Sequence, residues 1–358
     1  MTRPARACID LSALKHNFKL TRQAAPGSRV MAIIKANAYG HGLLPVAQAL
    51  EDADAFGVVT LEEAIALREA GFDRRILLLE GAFDSAEAML ISGYRVDIVV
   101  HHASQLEMLE QASLSQPVNV WLKLDSGMHR LGFSEADFPD AVRRLQQVGQ
   151  VGSIFYMSHL ACADEADNPC SSSQQQRFSD ATEGLCGERS LANSAGILVW
   201  PECHFDWVRP GIMLYGSSPL PGSTARALDL RPVMTLESRL IAVNSLRQGD
   251  AVGYGSDWVC PEPMRVGVAA MGYGDGYPRH LPSGTPVLVN GVPAALAGRV
   301  SMDMITLDLR PVPDAKVGDR VTLWGDGLPV DDIAERAGTI AYELLCGVSN
   351  RVPRVYSD

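Results

Sequence analysis

Val30-Met31-Ala32-Ile33-Ile34-Lys35-Ala36-Asn37-Ala38-Tyr39-Gly40-His41-Gly42 opens on an unbroken apolar run rich in β-branched residues, the pattern of a strand buried on both faces. An open, doubly wound sheet built around a dinucleotide would follow its first strand with G-x-G-x-x-G; here a lysine follows instead. Outward from this run the pattern repeats. Apolar runs recur at residues 56–59, 75–79, 96–100, 118–124, 154–158, 189–192 and 208–215. Amphipathic stretches such as 61–70, 104–111 and 135–147 lie between them, with apolar residues at a period of about 3.6. Strands alternating with helices in this number, over roughly 200–250 residues, predict a (β/α)8 barrel of the TIM type.

Near Leu230 the texture changes. Strand-like segments at 236–244, 266–271, 287–289, 304–309 and 321–324 follow one another with little helix between them. Asn290-Gly291 between two apolar runs predicts a hairpin with a type I′ turn. A helix over 330–337 and an apolar stretch over 340–348 interrupt the strands. The expected organisation is a barrel domain over 1–230 and a mostly β C-terminal domain over 231–358. The first residues, up to about position 10, are candidates for pairing with the second domain.

At 358 residues the chain can bury a full core. A hydrophobic share of 47% and a charged share of 20% describe an ordinary globular protein. The formal net charge of -11 leaves no basic excess to neutralise phosphates, so no nucleic-acid partner is expected. No run is long and apolar enough for a bilayer, and no apolar stretch follows the basic start, so neither a membrane partner nor a signal peptide is expected. Seven cysteines without a C-x-x-C pair suit reduced thiols in the cytoplasm. His101-His102 and Cys203-His204 lack a second pair at ligand spacing, so no metal is expected.

Barrel enzymes carry their working residues at the C-terminal ends of the strands. Those ends are Lys35, Thr60, Glu80, His101, Lys123, His159, Asn193-Ser194 and Arg209. The turns Asn193-Ser194-Ala195-Gly196 and Arg209-Pro210-Gly211-Ile212 are small enough for backbone N–H groups to approach an anion, where barrels often hold a phosphate. A lysine at a strand end in a closed site is partly desolvated, which lowers its pKa and frees a nucleophilic amine.

Ala32–Gly42 resembles the cofactor-lysine motif of the alanine racemases. The resemblance continues through Trp121-Leu122-Lys123-Leu124-Asp125-Ser126-Gly127-Met128-His129-Arg130-Leu131-Gly132, Met157-Ser158-His159, Asn193-Ser194 and Arg209-Pro210-Gly211-Ile212-Met213-Leu214-Tyr215-Gly216. It extends to Val252-Gly253-Tyr254-Gly255, Met271-Gly272-Tyr273-Gly274-Asp275-Gly276-Tyr277, Gly298-Arg299-Val300-Ser301-Met302-Asp303-Met304 and Tyr342-Glu343-Leu344-Leu345-Cys346, in the family's order.

This resemblance implies a pyridoxal 5′-phosphate enzyme that interconverts L-alanine and D-alanine, for cell-wall supply or for D-alanine breakdown. It implies a homodimer with shared active sites. Lys35 would carry the cofactor and act as base on the D face, and Tyr254 of the partner subunit would act on the L face. A second base is needed because one alone largely returns the proton to the side it came from. Arg209 would face the pyridine nitrogen with His159 hydrogen-bonded to it. Tyr39, Ser194, Tyr342 and the backbone N–H groups of Gly211 and Ile212 would hold the phosphate. Arg130, and Met302 and Asp303 of the partner subunit, would meet the substrate. Lys123 falls where many members carry an N-carboxylated lysine. Asp164, Tyr273, Arg279 and Arg299 look like entrance residues. The rivals are a racemase of broader specificity, acting on serine or other small amino acids, and an amino-acid decarboxylase. A decarboxylase of this fold sets a carboxylate, not an arginine, against the ring nitrogen.

Overall fold

The computed structural model describes residues 3–358; Met1 and Thr2, the first residues of the expected barrel domain, lie outside the described residues. Strand β1 (Arg6–Asp10) comes first, and the Asp10 carboxylate that ends it accepts from the Ala13 N–H at 2.9 Å to cap the helix Leu11–Ala24. Eight parallel strands then close on themselves: β2 (Arg29–Ile33), β3 (Ala55–Val58), β4 (Arg75–Leu78), β5 (Asp97–Val100), β6 (Val118–Lys123), β7 (Val151–Met157), β8 (Arg189–Ser190) and β9 (Trp207–Val208). Val30 pairs with Val208 across the seam, which makes the sheet a (β/α)8 barrel.

Most barrel-strand residues are apolar because both faces are covered: β3 and β5 have every residue buried. The helix Leu61–Glu69 shows how sequence sets an element's start. Thr60 caps it, and Glu63 reaches back to the Thr60 backbone, a reciprocal capping box. The run expected over 208–215 is only partly a strand. The last ladder bonds run from the Arg209 N–H to the Ala192 carbonyl and from the Ile33 N–H to the Pro210 carbonyl; Pro210 has no N–H to carry the strand on, and Ile212–Tyr215 turns into a 3-10 helix.

The C-terminal strands are β10 (Met234–Leu246), β11 (Ala251–Val252), β12 (Trp258–Val259), β13 (Met264–Ala269), β14 (Pro286–Val289), β15 (Val292–Leu296), β16 (Ile305–Asp308), β17 (Arg320–Trp324) and β18 (Arg354–Ser357). The long β10 changes register between Leu240 and Ala242, which lets it pair with β17 along one part and β13 along another. With β14, β15 and β16 these strands form a second, antiparallel closed ring. The β14–β15 connection is Asn290-Gly291 with φ of 49° and 82°, the positive pair a type I′ turn requires. Strand β1 lies antiparallel to β10, and β18 lies parallel to β1, so both ends of the chain join the C-terminal sheet. Among the described residues no helix is long and apolar enough to cross a membrane.

The base of the barrel is fastened by aromatics around a buried charge. Trp121 stacks on Phe155 with centroids 4.6 Å apart and meets Trp207 edge-on at 5.7 Å. Its indole N–H donates to Asp97 at 3.1 Å, and Arg75 lies 3.3 Å from the same carboxylate oxygen. Trp121→Ala removes the stack and a donor to a buried carboxylate together. It should lower unfolding free energy by about 3–5 kcal/mol, read as a fall in the urea midpoint at unchanged slope.

Candidate active site

Immediately after β2 the chain does something the sequence does not announce. Ala36, Asn37, Ala38 and Tyr39 all have left-handed φ, between 51° and 54°, and Gly40 follows at 81°. Each non-glycine residue costs roughly 1–2 kcal/mol in this region, so the turn persists only because its surroundings hold it. Asn37 offers its side-chain oxygen to the Leu43 N–H at 2.9 Å, and its own N–H donates to Glu63 at 2.9 Å. His41, fully buried, contacts the Ala38 and Tyr39 carbonyls through Nδ1 at 3.0 and 2.9 Å. Burial pushes its pKa down to about 4, so the ring is neutral and Nδ1 is the donor.

The result is that Tyr39 folds back over the barrel mouth beside Lys35. Its ring stacks on Tyr215 at 4.7 Å, and the Tyr215 hydroxyl donates to the Ile33 carbonyl at 2.9 Å. A Cβ placed on Gly211 would lie 2.7 Å from the Tyr39 hydroxyl, so the bare Gly211 backbone and that hydroxyl face one small space. The Ser194 oxygen accepts from the Gly211 N–H at 2.8 Å and the Met213 N–H at 3.4 Å, which ties the turn after β8 to the turn after β9. Ile212 begins the 3-10 helix, where the first N–H groups have no partner within the helix.

Arg209 is the anchor beneath this cradle. It is 4% exposed, and its guanidinium donates to the Ser190 hydroxyl and to the carbonyls of Ser158 (2.5 Å) and Leu191 (3.2 Å). His159 Nδ1 lies 3.4 Å from the same guanidinium. Burial, then the charge of Arg209, keep the His159 pKa well below the ordinary range, so the ring is neutral and Nδ1 accepts. Burial also lowers Arg209 to about 10, which leaves it charged at neutral pH.

These residues line one cavity of about 440 Å³ at the barrel mouth. It brings together Lys35, Tyr39, Lys123, Arg130, His159, Ser194, Arg209, Gly211, Ile212 and Tyr342, with Glu80, Asn193 and Cys346 on its wall. Burial and then Arg130 push the Lys35 ammonium below its usual pKa. Burial and then Arg209 bring Lys123 down to about 8. Burial raises the phenol of Tyr342 to about 12 and that of Tyr39 further. The cavity thus gathers basic side chains from β2, β6, β9 and the loop after β6 around a single carboxylate, Glu80. Such a site is built for anions, with lysines whose neutral form is within reach.

The N-terminal domain model of alanine racemases matches residues 9–219, and the C-terminal domain model matches 233–356. The chain belongs to the alanine racemase family. It is 55% identical to an alanine racemase of Nitrosococcus oceani over 98% of each chain. It is 52% identical to a catabolic alanine racemase of Pseudomonas aeruginosa over 99% of each. The crystal structure of the biosynthetic alanine racemase from Pseudomonas aeruginosa superposes with a TM-score of 0.97 at 49% identity, covering 100% of both chains. Membership makes the chain an isomerase.

Three residues expected at the site are not in the cavity of this chain. Tyr254 and Met302 are exposed on the C-terminal domain, 67% and 53% accessible. Asp303 instead pairs with Arg351 at 2.6 Å and Arg3 at 3.5 Å. Of the expected entrance residues, Tyr273 is also exposed on this domain, and Arg299 pairs with Asp257. The anchors of Arg209 went unnoticed in the sequence because two are backbone carbonyls, and a serine at a strand end carries no signal of its own. Among the described residues no three His, Cys, Asp or Glu side chains gather around a common point; His102 instead accepts from the Ser104 N–H at 3.2 Å to start a helix.

Gly211→Ala would fill the space before the Tyr39 hydroxyl, which its stacked ring cannot vacate. The affinity of the cofactor-free chain for inorganic phosphate should fall about tenfold, the size of one charge-assisted hydrogen bond, by titration calorimetry.

Proposed function

We propose that this chain interconverts L-alanine and D-alanine, using pyridoxal 5′-phosphate held in the barrel-mouth cavity, and that two copies share their active sites. The observation that carries this reading is the juxtaposition of a pKa-depressed Lys35 with the Ser194–Gly211–Tyr39 cradle in a cavity of excess positive charge. The cradle fits a phosphate monoester: a bare glycine backbone, a 3-10 helix start and two tyrosine hydroxyls converge there. When bound, the cofactor supplies a carbonyl for the amino group and a conjugated ring that stabilises negative charge at the substrate Cα.

The chain's own residues then do the following. Lys35 holds the cofactor and moves a proton at Cα on the D face; its lowered pKa keeps the neutral amine accessible. Arg209, charged and held by its acceptors, would face the ring nitrogen. As a donor with no acceptor, it would favour that nitrogen unprotonated. Negative charge is then less dispersed, and side reactions that depend on its dispersal are suppressed. Arg130 receives the substrate carboxylate. From the second copy, Tyr254 acts on the L face, and Met302 and Asp303 close the carboxylate end. Their exposure on this chain, outside its own cavity, supports a supply in trans. The unpaired cysteines suit a reducing compartment such as the cytoplasm. Because the two enantiomers have equal free energy in water, the enzyme supplies or consumes D-alanine according to their concentrations alone.

Lys123 fits an N-carboxylated lysine. Its neutral amine adds carbon dioxide and releases one proton, replacing a buried cation among Arg209, Arg130 and Lys35 with an anion they would favour. With the pKa near 8, the carbamate should grow as pH rises from 7 to 9 at fixed dissolved carbon dioxide. A carbamate resonance with labelled carbon dioxide, lost in Lys123→Met, measures it; no pH dependence would count against the assignment.

Lys35→Ala and Tyr254→Phe should each abolish racemisation of L-alanine. Mixed in equal amounts after subunit exchange, they should recover roughly a quarter of wild-type activity, because half of random dimers are mixed and each keeps one intact site. No recovery despite proven exchange would rule out a shared site.

A further inference from the structure

The left-handed turn that places Lys35 and Tyr39 is gripped from the far end of the chain. Arg354 in β18 donates through Nε to the Gly40 carbonyl at 3.0 Å. Its other nitrogens donate to the carbonyls of Val348 (2.7 Å), Ser349 (2.8 Å) and Val352 (2.9 Å). That second set of carbonyls follows directly on the helix Ala341–Gly347, which carries Tyr342. One guanidinium therefore ties together the two segments whose tyrosines flank the phosphate cradle. Two further contacts press the same joint. The Tyr356 hydroxyl donates to the His41 carbonyl at 3.1 Å, and a Cβ on Gly40 would overlap the Leu345 carbonyl. Strand β18 has a firm base for this, because Arg354 pairs with Ala7 and Tyr356 with Ile9 of β1 inside the C-terminal sheet.

We propose that Arg354 and Tyr356 are positioning residues for the cofactor phosphate: they hold the strained turn so that the hydroxyls of Tyr39 and Tyr342 face the cradle. Neither touches the cavity. They act through a backbone that would otherwise relax toward right-handed φ and swing Tyr39 away from Gly211. The proposal rests on the reading that this cavity takes pyridoxal 5′-phosphate. It adds that affinity for the phosphate depends on the C-terminal strand of the same chain.

The test compares two probes on the full-length protein freed of cofactor: pyridoxal 5′-phosphate and pyridoxal, which has the same aldehyde and no phosphate. Arg354→Met should weaken the phosphate ester about tenfold, the size of one lost charged hydrogen bond, and leave pyridoxal unchanged. Tyr356→Phe should move the same ratio in the same direction by a smaller factor, and it decides alone if Arg354→Met does not fold. Added to Tyr39→Phe, either substitution should cost less than it does alone. Equal weakening of both probes, or no change in their ratio in either variant, would overturn the proposal. A wild-type protein without preference for the phosphate ester would sink the cofactor reading itself, a distinct outcome.

Discussion

The constraint on which the site depends is unbalanced positive charge. Arg209 is buried among neutral acceptors with no carboxylate beside it, and Lys35, Lys123 and Arg130 share its cavity with only Glu80 opposite. Like charges this close repel by about 2 kcal/mol per pair at an effective dielectric near 20. The fold tolerates this for two reasons. The two terminal nitrogens of the guanidinium are held by oriented neutral acceptors, and the lysines can shed protons. Both lysine shifts run downward for the same cause, burial first and a neighbouring arginine second. The reactive amine and the anion-seeking pocket are thus one electrostatic fact seen from two atoms.

Holding that charge in place falls to two closed sheets joined at the chain ends. The parallel barrel supplies Lys123 from the end of β6, and Arg209 and the cradle turns from the neighbouring ends of β8 and β9, so their spacing follows the strand spacing. The antiparallel ring supplies no cavity residue directly. Its edge strands β1 and β18 instead bring Arg354 and Tyr356 against the left-handed turn. A barrel of eight short strands, two of them two residues long, leaves its mouth partly to loops. Loops need fixing by something with a rigid base, and the second ring provides it.

Much of this was legible in the sequence, for definite reasons. Apolar runs broken by amphipathic stretches gave the barrel, because strands buried on both faces have no other pattern. Asn290-Gly291 gave its hairpin because few residues accept φ > 0 twice in succession. The run over 208–215 misled because apolar content alone does not distinguish a strand from a buried 3-10 turn, although Pro210 was the cue. The turn at 36–39 could not be read. Two alanines and a tyrosine have no left-handed preference, only Asn37 hints at it, and some of the contacts on the turn come from residues as distant as Glu63 and Arg354. The cavity residues were legible mainly as a set: a lysine, an arginine and small turns at successive strand ends point to a phosphate and an amine together, where each alone points to neither.

On the proposed reading, a second copy supplies what this cavity does not hold. The proposed racemisation uses two groups that exchange protons on opposite faces, and it assigns one of these roles to Lys35. Several other titratable groups of the cavity are poorly suited to the second role. His159 gives its Nδ1 to Arg209 and is pushed far from the protonated form. Burial drives the phenols of Tyr39 and Tyr342 upward, away from a phenolate. Lys123 lies in the same cationic cluster as Arg130 and Arg209, and the proposal reads it as a carbamate and not as a mobile base. Tyr254 and Met302, exposed on the C-terminal domain, and the half-buried Asp303 are the residues that the proposal has a second copy supply.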